Sequence, residues 1–122
     1  MNIVVIGAHP DDCEAYAGGT AIKWLRAGNR VLFVSLTNGD AGHHEMGGGV
    51  LARRRREESE ASARRGGMET QILDHHDGEL MPTLAIRHEV IRIIRRYRAD
   101  VVISHHPEDY HPDHRYTSTL VQ

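Results

Sequence analysis

The sequence predicts an α/β protein in which helices cover both faces of a parallel sheet. Short apolar stretches alternate four times with longer amphipathic stretches, an alternation typical of repeated strand–helix–strand units. The first of them, residues 2–8, is almost continuously apolar, as expected for a strand buried on both faces. Right-handed crossovers in such a Rossmann-like, three-layer fold give the strand order 3-2-1-4, which makes the first and fourth strands neighbours.

The first half of the chain supplies two strands and two helices. The expected elements are a strand over residues 2–8, a helix over residues 14–27, a strand over residues 30–36 and a helix over residues 50–65. Asp11 or Asp12 is expected to cap the first helix, and Gly28 to end it. The glycine-rich residues 37–49 predict a long loop at the carboxyl end of the second strand, where α/β proteins bind ligands.

The second half repeats this pattern. The expected elements are a strand over residues 70–73, a loop over residues 74–80, a helix from a Thr83 cap to Tyr97, a strand over residues 100–104 and a helix beginning near Arg115. The buried face of the third helix is expected to contain Leu84, Val90, Ile91 and Ile94. Because the chain has no internal repeat and no linker, we interpret residues 1–122 as one domain.

Composition excludes several classes of protein. With 39% apolar and 26% charged residues, the 122-residue chain is neither a disordered segment nor a membrane-spanning protein. A net charge of −2 provides no basic field for nucleic acid. The single cysteine, Cys13, and an apolar start without the basic and cleavable parts of a secretory leader lead us to expect a cytoplasmic location.

Histidine and aspartate follow the two strands that are expected to be neighbours. Residues 9–12 read His-Pro-Asp-Asp after the first strand, and residues 111–114 read His-Pro-Asp-His shortly after the fourth. The carboxyl ends of neighbouring parallel strands meet at one edge of the sheet, so these motifs should converge. His9, Asp12 and His114 would supply two imidazoles and a carboxylate, a ligand set typical of catalytic zinc. The sequence therefore predicts a site for zinc or another divalent metal.

Three further residues of these motifs have catalytic chemistry. Asp11 lies beside the predicted ligands and is a candidate general base for a water whose pKa the metal lowers. His111 would face the same crevice, where an imidazolium can stabilise an oxyanion or protonate a leaving amine. Asp113 could fix the tautomer of His111 or of a ligand histidine.

Less specific interpretations exist for these and other residues. Each motif alone is also typical of a turn followed by a helix cap. Cys13 is a less favoured ligand because it should point away from the site at the first helical turn. Six of the other histidines form pairs: residues 43–44 and 75–76 are alternative ligands or solvated loop residues, and residues 105–106 are expected to support ligands or pack. Tyr110 could bond a substrate carbonyl, but we favour a place in the pocket wall.

The order of motifs resembles a known family. Residues 8–12 (Ala-His-Pro-Asp-Asp), 37–40 (Thr-Asn-Gly-Asp), 77–80 (Asp-Gly-Glu-Leu) and 111–114 (His-Pro-Asp-His) are similar to motifs of the PIG-L/LmbE-like de-N-acetylases. The resemblance implies a zinc-dependent hydrolase that removes acetyl from an N-acetylglucosamine-type amide and tends to form homo-oligomers. By motif position it implies zinc on His9, Asp12 and His114, Asp11 as the base and His111 as the oxyanion or acid group.

The resemblance also suggests substrate-binding residues. The pattern Arg54-x-x-Glu57 followed by Gly66 is similar to the family's substrate-contacting arginine, with Arg53 as the alternative. Read without the family, the arginine cluster is a solvated helix face with i,i+4 ion pairs. Asp77 is either a turn residue or, by the resemblance, a ligand of sugar hydroxyls. For Asp40 we favour a role in loop structure.

The family fold continues beyond its His-Pro-Asp-His motif, whereas this sequence ends eight residues later. We therefore expect the chain to lack the C-terminal part of the fold, leaving an exposed edge at the fourth strand and a pocket wall to be supplied from elsewhere. The rival hypothesis is a non-catalytic module that binds a nucleotide or sugar phosphate, but the first strand–helix turn has no G-x-G-x-x-G pattern. A metal-dependent phosphoesterase is a further alternative within the enzyme class.

Overall fold

Strands and helices alternate strictly along the chain. The computed structural model describes residues 1–122. The strands are β1 (Asn2–Gly7), β2 (Arg30–Thr37), β3 (Glu69–His75) and β4 (Val101–Ser104), and the helices are α1 (Asp12–Arg26), α2 (Gly48–Gly66), α3 (Leu84–Tyr97) and α4 (Pro112–Val121). All strand pairs are parallel in the order β3-β2-β1-β4, which confirms the predicted fold and strand order. No helix combines the length and the apolarity needed to cross a bilayer.

The sheet lies between two hydrophobic cores, one on each face. Because successive side chains of a strand point to opposite faces, Val4 and Ile6 join one core and Ile3 and Val5 the other. The first core also contains residues of β2 and of helices α3 and α4: Leu32, Val34, Leu36, Ile86, Val90, Ile93, Tyr97 and Leu120. The second is covered by α1 and α2 through residues that include Cys13, Ala21 and Ala63. Burial on both faces explains why β1 is continuously apolar.

The register of β1 and β4 sets the position of the site. Ile3 pairs with Val101 and Ile6 with Ser104, so the two strands end side by side. The Ser104 hydroxyl donates a hydrogen bond to the Ile6 carbonyl oxygen at 3.0 Å and ties the strand ends together. The segments that follow the two strands therefore start from the same edge of the sheet.

Helix α4 begins at Pro112, so the predicted start near Arg115 is wrong. Proline is well suited to the first helical position, where its missing N–H has no helical partner to lose. His111 is the N-cap, and its Nδ1 accepts a hydrogen bond from the Asp113 backbone N–H at 3.1 Å. Asp113 and His114 consequently lie in the first turn of a helix.

The buried face of α3 differs from the predicted face. Val90 is buried as expected, but Leu84 is 57% exposed, and Ile91 and Ile94 are only partly buried. Ile86 and Ile93 fill the core instead. Thr83 caps this helix, as predicted, by accepting a hydrogen bond from the Ile86 backbone N–H.

The outer edge of β4 has no strand partner, in agreement with the expected exposed edge. Val101 on this strand is exposed. Beside it, a cavity of about 320 Å³ is lined by side chains that include Tyr16, Ala17 and Ile103 and extends to Asp12.

Cys13 provides a test of the packing between α1 and the sheet. Its side chain is 4% exposed, and its Sγ donates to the carbonyl oxygens of Val5 and Val34. Burial raises the pKa of the thiol to about 12, since a thiolate would lose its hydration. We expect the native thiol to react with Ellman's reagent at pH 8 at least about a hundredfold more slowly than the thiol of the chain unfolded in guanidinium. Equal rates would contradict this packing.

Candidate active site

Three predicted ligand residues converge at the shared edge of β1 and β4. His9 Nδ1 lies 3.3 Å from His114 Nε2, and each of these nitrogens lies 3.5 Å from Asp12 Oδ2. Tetrahedral zinc with bonds of about 2.0–2.2 Å places neighbouring ligand atoms about 3.3–3.5 Å apart. The spacing of the three donor atoms therefore matches a single tetrahedral ion.

The strand end and the following turn hold Asp12 in place. Its Oδ2 accepts hydrogen bonds from the backbone N–H groups of Ala8 and His9, at 2.9 and 2.8 Å. Gly7 makes room for this arrangement, because a Cβ at that position would lie 2.7 Å from the Asp12 Cβ. Asp11 is the N-cap residue of α1, one of the two predicted caps, although its side chain makes no capping hydrogen bond.

The site is rich in negative charge around one imidazole. Burial opposes a charge on the His9 ring, but its hydrogen bonds to three aspartates outweigh burial and raise its pKa to about 10. Burial likewise opposes ionisation of Asp12, yet hydrogen bonds from His105 and His9 hold its pKa well below the ordinary range. Carboxylates that stay ionised around a histidine favour the binding of a cation.

Asp113 contacts the predicted ligand His9 as well as the loop after β3. Its side chain is 1% exposed, and its Oδ2 lies 2.9 Å from His9 Nε2. The backbone N–H groups of Gly78 and Leu80 also donate to this carboxylate. An ionised carboxylate only accepts, so His9 Nε2 carries a proton and Nδ1 faces His114 and Asp12. Of the two histidines that Asp113 was predicted to hold, it contacts the predicted ligand His9.

Of the two other predicted catalytic residues, His111 packs against the ligand histidines, whereas Asp11 extends towards solvent and Arg55. The side chain of Asp11 is 66% exposed and lies outside the buried cluster. The His111 ring centroid lies 4.6 Å from that of His9 and 4.8 Å from that of His114. Since His111 Nδ1 accepts the backbone N–H of Asp113, the proton of a neutral His111 ring resides on Nε2. His111 is thus held in a form that can donate a hydrogen bond.

Of the arginine cluster, Arg55 rather than the predicted Arg54 reaches the residues next to the site. Arg54 donates to Glu58 at 2.9 Å on the exposed side of α2, whereas Arg55 Nη2 lies 3.0 Å from Asp11 Oδ1. Four consecutive arginines concealed this register in the sequence. The signal that could have resolved it is the i,i+4 series Leu51, Arg55, Ser59 and Ala63, three members of which are buried.

Asp77 lies at the site, and Asp40 organises its loop. Asp77 Oδ1 is 3.1 Å from His9 Nε2. Asp40 Oδ1 accepts a hydrogen bond from the Asp77 backbone N–H at 3.0 Å, and its Oδ2 accepts from His76 Nδ1. The structural role expected for Asp40 is therefore confirmed, and it consists of positioning Asp77.

The alternative ligands lie elsewhere. Cys13 points into the core, and none of the converging groups of potential ligand atoms contains it or the histidine pairs at 43–44 and 75–76. His105, expected to support a ligand, lies 3.1 Å from Asp12 Oδ2, and its ring stacks on that of His114 with centroids 3.9 Å apart. Sequence reasoning missed Asp109, whose Oδ2 lies 3.2 Å from His114 Nδ1. In the sequence, the only indication of a role for Asp109 is its position in the loop that precedes the His-Pro-Asp-His motif.

Comparison with known proteins agrees with this geometry. The family model for PIG-L, described as GlcNAc-PI de-N-acetylase, matches residues 4–122. The chain belongs to the PIG-L family. Among its PIG-L relatives, the diacetylchitobiose deacetylase of Thermococcus kodakarensis is 37% identical over 124 residues, covering 97% of this chain and 46% of the relative.

Solved structures of the same fold come from more than one kind of enzyme. An N,N'-diacetylchitobiose deacetylase from Pyrococcus horikoshii superposes on this chain with a TM-score of 0.88 at 34% sequence identity. The superposed region covers 98% of this chain and 47% of the deacetylase chain. The hydratase GalB from Pseudomonas putida gives 0.91 at 26% identity, with coverages of 99% and 54%. This PIG-L chain thus spans about half the length of these relatives.

Metal content tests the convergence of the three ligands. We expect the purified chain to bind about one divalent ion after equilibration with zinc and dialysis, because three donor atoms meet with tetrahedral spacing. His114→Ala removes one donor and should lower the bound zinc to near zero. His44→Ala, at an exposed histidine in the glycine-rich loop, is the matched control and should leave the content unchanged. Equal zinc in both variants would contradict the site.

Proposed function

We propose that the chain is the site-bearing part of a zinc-dependent hydrolase that removes the acetyl group from an N-acetylglucosamine-type amide. The observation that carries this proposal is the meeting of His9, Asp12 and His114 at tetrahedral spacing, with the ring of His111 next to both histidines. The family supports a de-N-acetylase, and the diacetylchitobiose deacetylase at 37% identity supports an acetylated amino sugar as substrate.

The donor set fits a catalytic zinc ion. His9 and His114 each place one nitrogen next to a carboxylate on the outer side, and their other nitrogens face each other at 3.3 Å. Two nitrogens that face each other across so short a gap need a proton or a cation between them. Two imidazoles with one carboxylate complete a three-ligand zinc site. Zinc bound there would polarise the acetyl carbonyl and lower the pKa of a water molecule.

The surrounding side chains would move the protons. Asp11 accepts the proton of the water as its oxygen bonds to the acetyl carbon. His111 donates from Nε2 to the carbonyl oxygen while that oxygen gains negative charge. When the carbon–nitrogen bond breaks, the proton held by Asp11 passes to the leaving nitrogen, and the products are acetate and a free amine. Asp113 keeps His9 in the required tautomer throughout.

Arg55 replaces Arg54 in the proposed binding of substrate. Its guanidinium is 22% exposed, holds Asp11 through one nitrogen and has further donors available for a sugar hydroxyl. Asp77 has one carboxylate oxygen next to His9, which leaves the other for a substrate hydroxyl. We propose these two residues as the polar groups that orient the substrate.

Three other functions are separable by experiment. A nucleotide- or sugar-phosphate-binding module needs no zinc, and a phosphoesterase would release phosphate rather than acetate. A hydratase reaction is a third possibility because GalB shares the fold, and it would consume a carbon–carbon double bond without releasing acetate.

The zinc-loaded chain is incubated with N,N'-diacetylchitobiose, and acetate and primary amine are measured. Equal amounts of both above the metal-free chain support deacetylation, whereas their absence contradicts the proposal.

Asp11→Asn tests the proposed base. The amide keeps the size of the side chain but accepts no proton, so we expect kcat to fall by about 10²- to 10⁴-fold. Zinc content should stay at the wild-type value because Asp11 is not among the three donors. Acetate release and metal content are measured on the same preparation. A variant that retains most of its activity would show that another group removes the proton.

Arg55→Gln and Arg54→Gln test the register of the arginine cluster. Loss of the charged hydrogen bond from Arg55 to Asp11 should lower kcat/KM about tenfold or more, with unchanged zinc content. Arg54→Gln removes only an exposed i,i+4 pair and should change kcat/KM by less than about twofold. Should Arg54→Gln prove the more damaging change, the assignment of Arg55 would be wrong.

A further inference from the structure

Asp109 contacts His114 at the ring nitrogen that faces away from His9 and Asp12. Its two carboxylate oxygens have separate partners: Oδ1 accepts the backbone N–H of His111 at 2.9 Å, and Oδ2 lies 3.2 Å from His114 Nδ1. Arg115 fixes the same loop, since its Nη1 donates to the carbonyl oxygens of Asp109 and Tyr110. The carboxylate is therefore held in place independently of the histidine it contacts.

The contact determines which nitrogen of His114 faces the site. An ionised carboxylate only accepts hydrogen bonds, so Nδ1 must carry the ring proton. The other nitrogen, Nε2, then presents its lone pair 3.3 Å from His9 Nδ1 and 3.5 Å from Asp12 Oδ2. Stacking of the His105 ring on the His114 ring, with an interplanar angle of 7°, limits ring rotation.

We propose that Asp109 is a positioning residue for His114: its carboxylate keeps the proton on Nδ1 and so presents Nε2 as the donor to the metal. This inference rests on the proposed function, which places the metal at His9, Asp12 and His114. It gives the site two analogous pairs. Asp113 contacts Nε2 of His9 and leaves Nδ1 for the ion, while Asp109 contacts Nδ1 of His114 and leaves Nε2.

Asp109→Asn separates this role from the structural one. Asparagine keeps one oxygen, which can still accept the His111 N–H, but it replaces the second acceptor by an NH₂ group that cannot accept the His114 proton. The matched control is Glu108→Gln, which removes the same charge from the neighbouring exposed residue. Zinc dissociation constants are measured by competition with a chromogenic chelator, and thermal unfolding of the metal-free chains checks the fold.

We expect Asp109→Asn to weaken zinc binding about 10- to 100-fold, the range found when a carboxylate behind a ligand histidine is lost. Glu108→Gln should stay within about twofold of the wild type, and both variants should unfold at nearly the wild-type temperature. If Asp109→Asn binds zinc as tightly as Glu108→Gln, the inference is overturned while the metal site stands. A wild-type chain that binds no zinc would instead overturn the proposed function.

A second measurement needs no variant. In the zinc-loaded wild-type chain, nitrogen-15 NMR should show His114 bound through Nε2, with an Nδ1 proton protected from exchange by Asp109. An Nδ1 proton that exchanges freely, or zinc bound through Nδ1, would overturn the inference even if Asp109→Asn failed to fold. A purely structural role for Asp109 predicts no such protected proton.

Discussion

The parallel pairing of β1 with β4 is the interaction on which the site depends. The two strands are separated by almost the whole chain, yet they end at the same level because Ile6 pairs with Ser104. Everything that converges on the proposed ion starts from these two strand ends. Asp12 follows β1 by one turn, and His114 follows β4 by one loop and the first turn of α4. A shift in this register would separate the two histidines and leave their carboxylate partners uncompensated.

A buried cluster of imidazoles and carboxylates is costly unless each group has a partner. Here every buried side-chain polar atom has a hydrogen-bond partner. Backbone N–H groups at the end of β1 and in the loop after β3 supply much of this compensation, through Asp12 and Asp113. The turn after His9 is also closely packed against the loop that follows β2. Gly39 in that loop adopts a positive φ, and a Cβ at this position would lie 2.9 Å from Pro10 Cδ. The fold itself thus satisfies the buried polar groups of the site.

The fold alone does not specify the reaction. Diacetylchitobiose deacetylases and the hydratase GalB superpose on this chain almost equally well. The proposed hydrolase reaction rests instead on particular side chains: a donor set of tetrahedral spacing, an exposed carboxylate on the residue before Asp12 and a histidine held with Nε2 protonated. The relatives are about twice as long, and in this chain the outer edge of β4 and the adjoining cavity are uncovered.

The sequence by itself determined the alternation of strands and helices, the strand order and the convergence of His9, Asp12 and His114. These follow from rules that act along the chain: hydrophobic periodicity, crossover handedness and the meeting of parallel strand ends. The tertiary structure decided that Arg55 rather than Arg54 faces Asp11, that Ile86 rather than Leu84 fills the core, and that Asp109 contacts His114. Such details depend on how each helix is rotated against the sheet and on side-chain rotamers. Both are set by contacts between residues distant in the chain, which local sequence patterns do not encode.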